Sequence, residues 1–455
     1  LFGTVGAGLL AAPFVSSGLL TNPAAEAADK KGKAMSPAPD LNRFKLGGFA
    51  VIVVKDGARP ADKPQETYGL NQPPGEVAAL LKANFLPEDR FVNTFSPTVV
   101  DTGKEVVLFD TGLGAGARPQ GGGRMLEGLA EAGYKALREL PYYNSFFKTT
   151  TPPTIELAAK LAEVLPEGMS RVLFANSGSE ANDTALKLIR YYWNLKGKPQ
   201  KKIHLSREMA YHGVTMAAAS LSGLTPMHPQ WDLPLPGFEK VPTCYWYGAK
   251  AAGYGDIGED EFGELIAAKL EERILEIGAD RIASFSAEPI HGAGGLIFPP
   301  RTYWAAVQKV CRKYDILLHA DEVITGFGRT GKWFGSHTYG IQPDILTMAK
   351  GLSSGYQPIS AVALGPRVGD AIAHANEEMV HGYTYSGHPV ACAVALKNLE
   401  IMQREKIVER VGDDIGPYFQ AKFREVLGDH PLVGEVRGVG LLCALELVDD
   451  KKLGK

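Results

Sequence analysis

Lys350 ends a short apolar run and opens a turn of small residues, in Asp344-Ile-Leu-Thr-Met-Ala-Lys350-Gly-Leu-Ser-Ser-Gly355. A lysine amine is a nucleophile only in its neutral form, which condenses with aldehydes to give Schiff bases. Ile345 to Ala349 would bury the base of the side chain, and Gly351 to Gly355 would let a flat ligand come close to the backbone. Asp321 closes a second apolar run, Asp315-Ile-Leu-Leu-His-Ala-Asp321, with Val323 and the loop Gly326-Phe-Gly-Arg-Thr-Gly331 after it. A carboxylate at the end of a buried strand needs a cation or hydrogen-bond donors. A protonated pyridine nitrogen meets that need, and so do backbone amides.

The segment Asn176-Ser177-Gly178-Ser179-Glu180 follows a strand pattern and opens a helix with an apolar face of Ala181, Ala185, Leu188 and Tyr192. Free N–H groups and the dipole at such a start suit a phosphate, with the Ser177 or Ser179 hydroxyl as a further donor; an ordinary capped helix reads the same way. Tyr211-His212-Gly213 sets an aromatic ring beside a glycine, suited to stacking on a conjugated ring or to plain packing. Glu288 and the run His291-Gly-Ala-Gly-Gly295 end another strand in a glycine-rich loop, and Thr384 lies among aromatics and glycines in His381–Pro389. An imine-forming lysine, an acid for a pyridinium, a helix start for a phosphate and a stacking aromatic together describe pyridoxal 5'-phosphate, used as an electron sink.

These residues need a scaffold that brings strand ends together. Short apolar runs at Arg171–Asn176, Ile282–Glu288, Asp315–Asp321, Asp344–Met348 and Ile359–Leu364 alternate with helical patterns, such as the face Tyr303, Val307, Val310, Cys311 and Tyr314. The alternation predicts an α/β domain with a mostly parallel central sheet and a site built from loops at the strand ends. Upstream, Phe49–Val54 and Glu105–Asp110 read as strands of a β-rich segment. The expected domains are a leader and linker over 1–40, a β-rich piece over 41–134, a large α/β domain over 135–390 and a small α+β domain over 391–455.

A chain of 455 residues is long enough for two to four domains. A net charge of −3 with 22% charged residues provides no basic stripe, which argues against nucleic-acid binding. Cys244, Cys311, Cys392 and Cys443 lie far apart in apolar segments and read as buried thiols of a reducing, cytoplasmic protein. Val5–Leu20 with Ala25-Glu-Ala-Ala28 nonetheless resembles an export signal without its basic start, or a plain alanine-rich leader. No other stretch is apolar enough to suggest a membrane partner.

From Leu137 to Lys455 the sequence resembles the class III, or ω-amino acid, branch of the fold-type I pyridoxal-phosphate-dependent aminotransferases. The matching motifs are Leu140-Pro-Tyr-Tyr-Asn-Ser-Phe-Phe, Ala175-Asn-Ser-Gly-Ser-Glu-Ala, Tyr211-His-Gly, Ala287-Glu-Pro-Ile, Ala320-Asp-Glu-Val, Ala349-Lys-Gly-Leu-Ser-Ser-Gly-Tyr and Thr384-Tyr-Ser-Gly-His-Pro. The resemblance implies that Lys350 forms the internal aldimine and moves the proton, and that Asp321 holds the pyridinium. By the same resemblance Tyr211 stacks on one ring face, with His212 beside it, and Val323 packs on the other. Ser177, Gly178 and Ser179 would then hold the phosphate, Thr384 would reach the phosphate of a neighbouring subunit, and Glu288 would support the site. It further implies an amine or ω-amino acid donor, a keto acid acceptor such as pyruvate, and a homodimer or higher homo-oligomer. An aminomutase or a decarboxylase would share the same fold and cofactor.

Three departures stand out, the first being that the family's own N-terminal segment, which lines the substrate entrance, is replaced here by a different β-rich piece. His291 occupies the place of a family glutamine near the cofactor's phenolic oxygen, and the arginine that commonly binds a substrate carboxylate is expected beyond Lys455, making the small domain a truncated one. Residues 41–134, with Val107-Leu-Phe-Asp110-Thr-Gly-Leu-Gly and Arg124–Tyr134, resemble the N-terminal half of a metallo-β-lactamase-fold protein. A zinc site of that kind needs several histidines, and none precedes His204. The competing expectations are therefore an inactive fused or truncated chain and, less favoured, a metal hydrolase.

Overall fold

The computed structural model describes residues 41–46, 49–54, 57–62, 82, 90–95, 98–101, 106–109, 124–146 and 148–449. The expected leader and linker over 1–40 lie outside these, as does Asp110 at the end of an expected strand. The chain divides into two compact units, Leu1–Gly116 and Ala117–Lys455. In the first unit, β1 (Leu41–Leu46), β2 (Phe49–Val54), β5 (Thr98–Asp101) and β6 (Val106–Phe109) form an antiparallel sheet in the order β1-β2-β5-β6. A separate antiparallel pair joins β3 (Gly57–Asp62) to β4 (Arg90–Phe95).

The second unit is organised by a seven-stranded sheet. Its strands are β7 (Arg171–Ala175), β8 (Ile203–Arg207), β9 (Phe238–Val241), β10 (Ile282–Ala287), β11 (Leu317–Asp321), β12 (Ile345–Met348) and β13 (Ser360–Leu364), in the order β7-β13-β12-β11-β10-β8-β9. From β12 to β9 every pairing is parallel, while β13 runs antiparallel to both of its neighbours. All residues of β10, β11, β12 and β13 are buried, as expected for strands covered on both faces. The helix Gly178–Leu195 packs on this sheet through Ala181, Ala185, Leu188, Ile189, Tyr192 and Trp193, and the Trp193 indole N–H donates to the Ala283 carbonyl at 2.9 Å. Burying each large side chain of that face contributes roughly 1.5–3 kcal/mol. The helix Pro389–Arg404 lies against the helices Arg124–Glu139 and Pro152–Ala162, and a hairpin of β14 (Val433–Val439) and β15 (Leu442–Leu447) follows later in the chain.

Two strands escape the apolar pattern. Ile203-His-Leu-Ser-Arg207 reads as a polar segment, yet four of its five residues are buried in β8. Each of its buried polar residues finds at least one partner inside the protein, although His204 Nε2 and Arg207 Nε have none among the described residues. His204 Nδ1 bonds the Ser284 hydroxyl at 2.9 Å, the Ser206 hydroxyl donates to the Leu221 carbonyl at 2.6 Å, and the Arg207 guanidinium donates to the Glu288 carbonyl. The short β9 pairs with β8 along this edge. Cys244, Cys311 and Cys392 are buried free thiols, as expected, whereas Cys443 is only partly buried.

The buried histidines give the fold an acid limit. Burial pushes His204 down to about 3 and His319 down to about 4, so both stay neutral in the folded protein well below the ordinary histidine range. The unfolded chain takes up protons below about pH 6.5 that these folded residues refuse, so stability falls as pH drops from there toward 4. Each histidine is expected to cost roughly 1.4 kcal/mol per pH unit across that window. Urea unfolding between pH 6.5 and 4.5 should show this slope, and His204→Gln should flatten it; a pH-independent midpoint would contradict the account.

Candidate active site

The C-terminal ends of β11 and β12, the start of the helix Gly178–Leu195 and the loop after β8 surround one cavity of about 350 Å³, within the range of small-ligand sites. Ser177 caps the helix: its hydroxyl accepts from the Glu180 N–H at 3.2 Å, while the Glu180 carboxylate folds back to accept from the Asn176 N–H at 2.7 Å. This reciprocal arrangement stabilises the helix start and leaves the N–H groups of Gly178 and Ser179 without intrahelical acceptors. They line the cavity. Gly213 packs so tightly here that a Cβ on it would lie 2.5 Å from the Ser179 hydroxyl, and its φ is +134°. The Ser179 hydroxyl in turn accepts from the Val214 N–H at 3.1 Å.

Asp321 stands at the end of β11, 3% exposed. Its Oδ2 receives His212 Nδ1 and the Asn182 side-chain N–H, each at 2.8 Å, and Oδ1 accepts from the Val323 N–H at 3.1 Å. Burial pushes this carboxyl up, but the hydrogen bond and charge of His212, helped by the Asn182 hydrogen bond, outweigh it and hold Asp321 below the usual carboxylate range. Glu288 is equally buried and is pushed up by burial, although its Oε1 and Oε2 accept from the N–H groups of Tyr211 at 3.1 Å and Gly292 at 2.7 Å. Two nearby carboxyls are therefore driven in opposite directions by their surroundings, a pattern common in sites that do acid–base chemistry.

Lys350 emerges from β12 at the first position of a 3-10 turn, Lys350–Leu352. Ile345–Met348 are fully buried, Ala349 is 4% exposed, and the lysine side chain opens into the cavity. Its φ is +39°, a left-handed conformation that a side chain with a Cβ adopts at a cost of order 1–3 kcal/mol. The surrounding structure holds it there. The Asn398 amide donates to the carbonyls of Gly351 at 2.9 Å and Leu352 at 3.1 Å, and a Cβ on Gly351 would lie 2.8 Å from Phe327 Cβ.

Of the residues expected from sequence, Ser177, Gly178, Ser179, Tyr211, His212, Glu288, Asp321, Val323 and Lys350 line the cavity together. His291 does not: it is fully buried outside the lining, with Nε2 near the Glu208 carbonyl at 3.2 Å. Thr384 is exposed and also outside the lining; its carbonyl accepts from the Tyr142 hydroxyl at 2.8 Å. Sequence reasoning passed over Asn182, Ile324, Ser353 and Gln357, which line the cavity as well. Asn182 carried a usable signal, since it lies one helical turn after Ser179 and beside the apolar Ala181 and Ala185. The assembly can hold an anion at the helix start, a cation at Asp321 and a carbonyl compound at Lys350.

A parallel-rich sheet, a helix-start anion site and a lysine at a strand end define a class. The chain belongs to the class-III aminotransferases, whose sequence model matches residues 129–454. It is 52% identical over 326 residues to the putrescine–pyruvate aminotransferase of Pseudomonas aeruginosa, a match covering 72% of this chain and 70% of that protein. A diaminobutyrate–2-oxoglutarate transaminase of Halomonas elongata is 46% identical over 325 residues, covering 71% and 69% of the two chains. Among solved structures, the omega transaminase of Pseudomonas jessenii in complex with PMP superposes with a TM-score of 0.69 at 49% identity, covering 72% of each chain.

The contact between Gly213 and Ser179 is testable. Gly213→Ala is expected to lower the unfolding free energy by roughly 1–3 kcal/mol, because the new methyl meets the helix start and alanine disfavours a positive φ. Denaturant titration measures this, and an unchanged midpoint would mean that the loop yields without cost.

Proposed function

We propose that this protein is a pyridoxal-phosphate-dependent aminotransferase that moves an amino group from an amine or ω-amino acid to a keto acid such as pyruvate. The observation that carries the reading is the convergence of Lys350, Asp321 and the helix start at Gly178 and Ser179 on one cavity. The residues present fit the cofactor: a buried ionised carboxylate suits a ring nitrogen that carries a proton, and two N–H groups without intrahelical acceptors suit a phosphate. Val323, Ile324 and Ala349 add an apolar wall beside them.

When bound, pyridoxal phosphate supplies the electron withdrawal that makes the proton on the substrate's amine-bearing carbon removable. Lys350 Nζ would hold the cofactor covalently and, once released, act as the base for a 1,3-shift of that proton, from the amine-bearing carbon to the far side of the nitrogen. Asp321 would keep a proton on the ring nitrogen, with His212 holding the carboxylate in place. Ser177, Gly178 and Ser179 would bind the phosphate, and Tyr211 and Val323 would confine the two faces of the ring. Glu288 would fix the backbone of Tyr211 through its 3.1 Å hydrogen bond. Thr384 would serve the site of a second subunit; its exposure, and that of Tyr142, Tyr143 and Tyr385, supports a dimer that covers this surface.

A cytoplasmic location belongs to the same proposal, supported by the buried free thiols. For residues 41–134 the proposed kinship with the N-terminal half of a metallo-β-lactamase-fold protein is supported by the strands β1, β2, β5 and β6, and no catalysis is assigned to it.

Protein purified with pyridoxal phosphate should show a visible absorbance band that is lost in Lys350→Ala, together with a fall in amine transfer of roughly 10²- to 10⁴-fold or more. A colourless wild-type protein would sink the reading. Product formation should also require an added keto acid; turnover without one would favour an aminomutase or a decarboxylase. Light scattering on the purified protein should give at least a dimer, and a stable monomer would remove the role proposed for Thr384.

A further inference from the structure

Asn182, which bonds Asp321 directly, is backed by three more buried polar side chains: Ser286, His319 and Thr347 are each 0% exposed, and Asn182 is 1% exposed. They stand on three adjacent strands and one helix. Ser286 of β10 pairs in register with His319 of β11, and Thr347 of β12 pairs with Asp321 itself. Their contacts run in series: Ser286 Oγ to His319 Nδ1 at 3.0 Å, His319 Nε2 to Thr347 Oγ1 at 3.3 Å, Thr347 Oγ1 to Asn182 Oδ1 at 2.9 Å, and Asn182 Nδ2 to Asp321 Oδ2 at 2.8 Å.

The direction of every link follows from the last one. Asn182 Nδ2 faces two groups that can only accept, the Asp321 carboxylate and the His212 carbonyl at 2.6 Å, so the amide cannot be flipped. Its Oδ1 must then accept, and the Thr347 hydroxyl spends its single proton there. His319 Nε2 is therefore the donor to Thr347, and because burial keeps this ring neutral its Nδ1 accepts from the Ser286 hydroxyl.

We propose that Ser286, His319, Thr347 and Asn182 form a one-way hydrogen-bond chain that orients and polarises Asp321 toward a cationic ring nitrogen. The inference rests on the role proposed for Asp321 above. Each donor in the chain strengthens the next, because a hydroxyl or imidazole that accepts one hydrogen bond becomes a better donor of another in a low-dielectric interior. The chain adds no net charge, so it stabilises the carboxylate without competing for the incoming cation. It also occupies Oδ2, already shared with His212, and so leaves the remaining capacity of Oδ1 for a ligand. These four are positioning residues, acting through Asp321.

Thr347→Val preserves shape and removes only the hydroxyl, while Thr347→Ser keeps it. Titration of pyridoxal phosphate into the cofactor-free full chain is expected to give a dissociation constant roughly three- to tenfold weaker for T347V and close to wild type for T347S. Ser286→Ala, at the far end, should weaken binding in the same direction by less. In ¹⁵N-histidine NMR spectra of the cofactor-free protein, His319 should be neutral with its proton on Nε2. Binding by T347V as tight as wild type, or a His319 proton on Nδ1, would overturn the chain. Should T347V fail to fold, S286A and the tautomer decide. A wild-type protein that binds no pyridoxal phosphate overturns the proposed function, while the tautomer still judges the direction of the chain by itself.

Discussion

A carboxylate placed at the end of a fully buried strand is the constraint around which the second unit is arranged. Asp321 is 3% exposed, and an uncompensated charge at that depth would cost several kcal/mol. The protein meets the cost with three donors from different parts of the chain: His212 from the loop after β8, Asn182 from the first turns of the helix Gly178–Leu195, and the Val323 amide from Asp321's own loop. Satisfying one carboxylate thus fixes the distance between a strand, a helix and a loop. The helix whose start suits an anion and the carboxylate that suits a cation are tied together by Asn182, so the two ends of a flat, doubly charged ligand find their partners at a set spacing.

The rest of the site is held by tight backbone packing rather than by charge. Gly213 against Ser179, Gly292 against Ile324 and Gly351 against Phe327 each leave no room for a Cβ, so loops from three strand ends reach the cavity wall. Lys350 is kept in a left-handed conformation by the turn that Asn398 grips from the helix Pro389–Arg404. Strain at one residue is tolerable because the elements around it are anchored in separate apolar clusters, one of which includes Leu346, Met348, Leu352 and Leu399.

Much of this was legible in the sequence. The runs ending at Asp321 and Met348 are strands, the face Ala181, Ala185, Leu188 and Tyr192 is buried, and nine of the eleven expected site residues line one cavity, because apolar periodicity reports burial directly. What the sequence left open were the partners of its polar residues. Ile203-His-Leu-Ser-Arg207 looked polar because sequence shows the donors and acceptors of β8 but not their partners, which come from Ser284, Leu221 and Glu288. His291 was expected near the site because it stands in the place of a family glutamine; the loop turns it inward, with Nε2 beside the Glu208 carbonyl.

The sequence by itself determined the kinds of group available and the ends of the strands that carry them: a lysine and an aspartate at the C-termini of apolar runs, and a serine–glycine–serine helix start. These are local properties, set by periodicity, capping and the conformational freedom of glycine. Tertiary structure alone decided which groups meet. That Asn182 joins His212, Asp321 and Thr347, that Asp321 is held low while Glu288 is pushed high, and that four hydrogen bonds point the same way depend on strand order, since β10, β11 and β12 are neighbours in space and far apart in the chain. Hydrogen bonds and electrostatics act over a few ångströms, and only the fold converts separations of 28 residues or more into distances of that size.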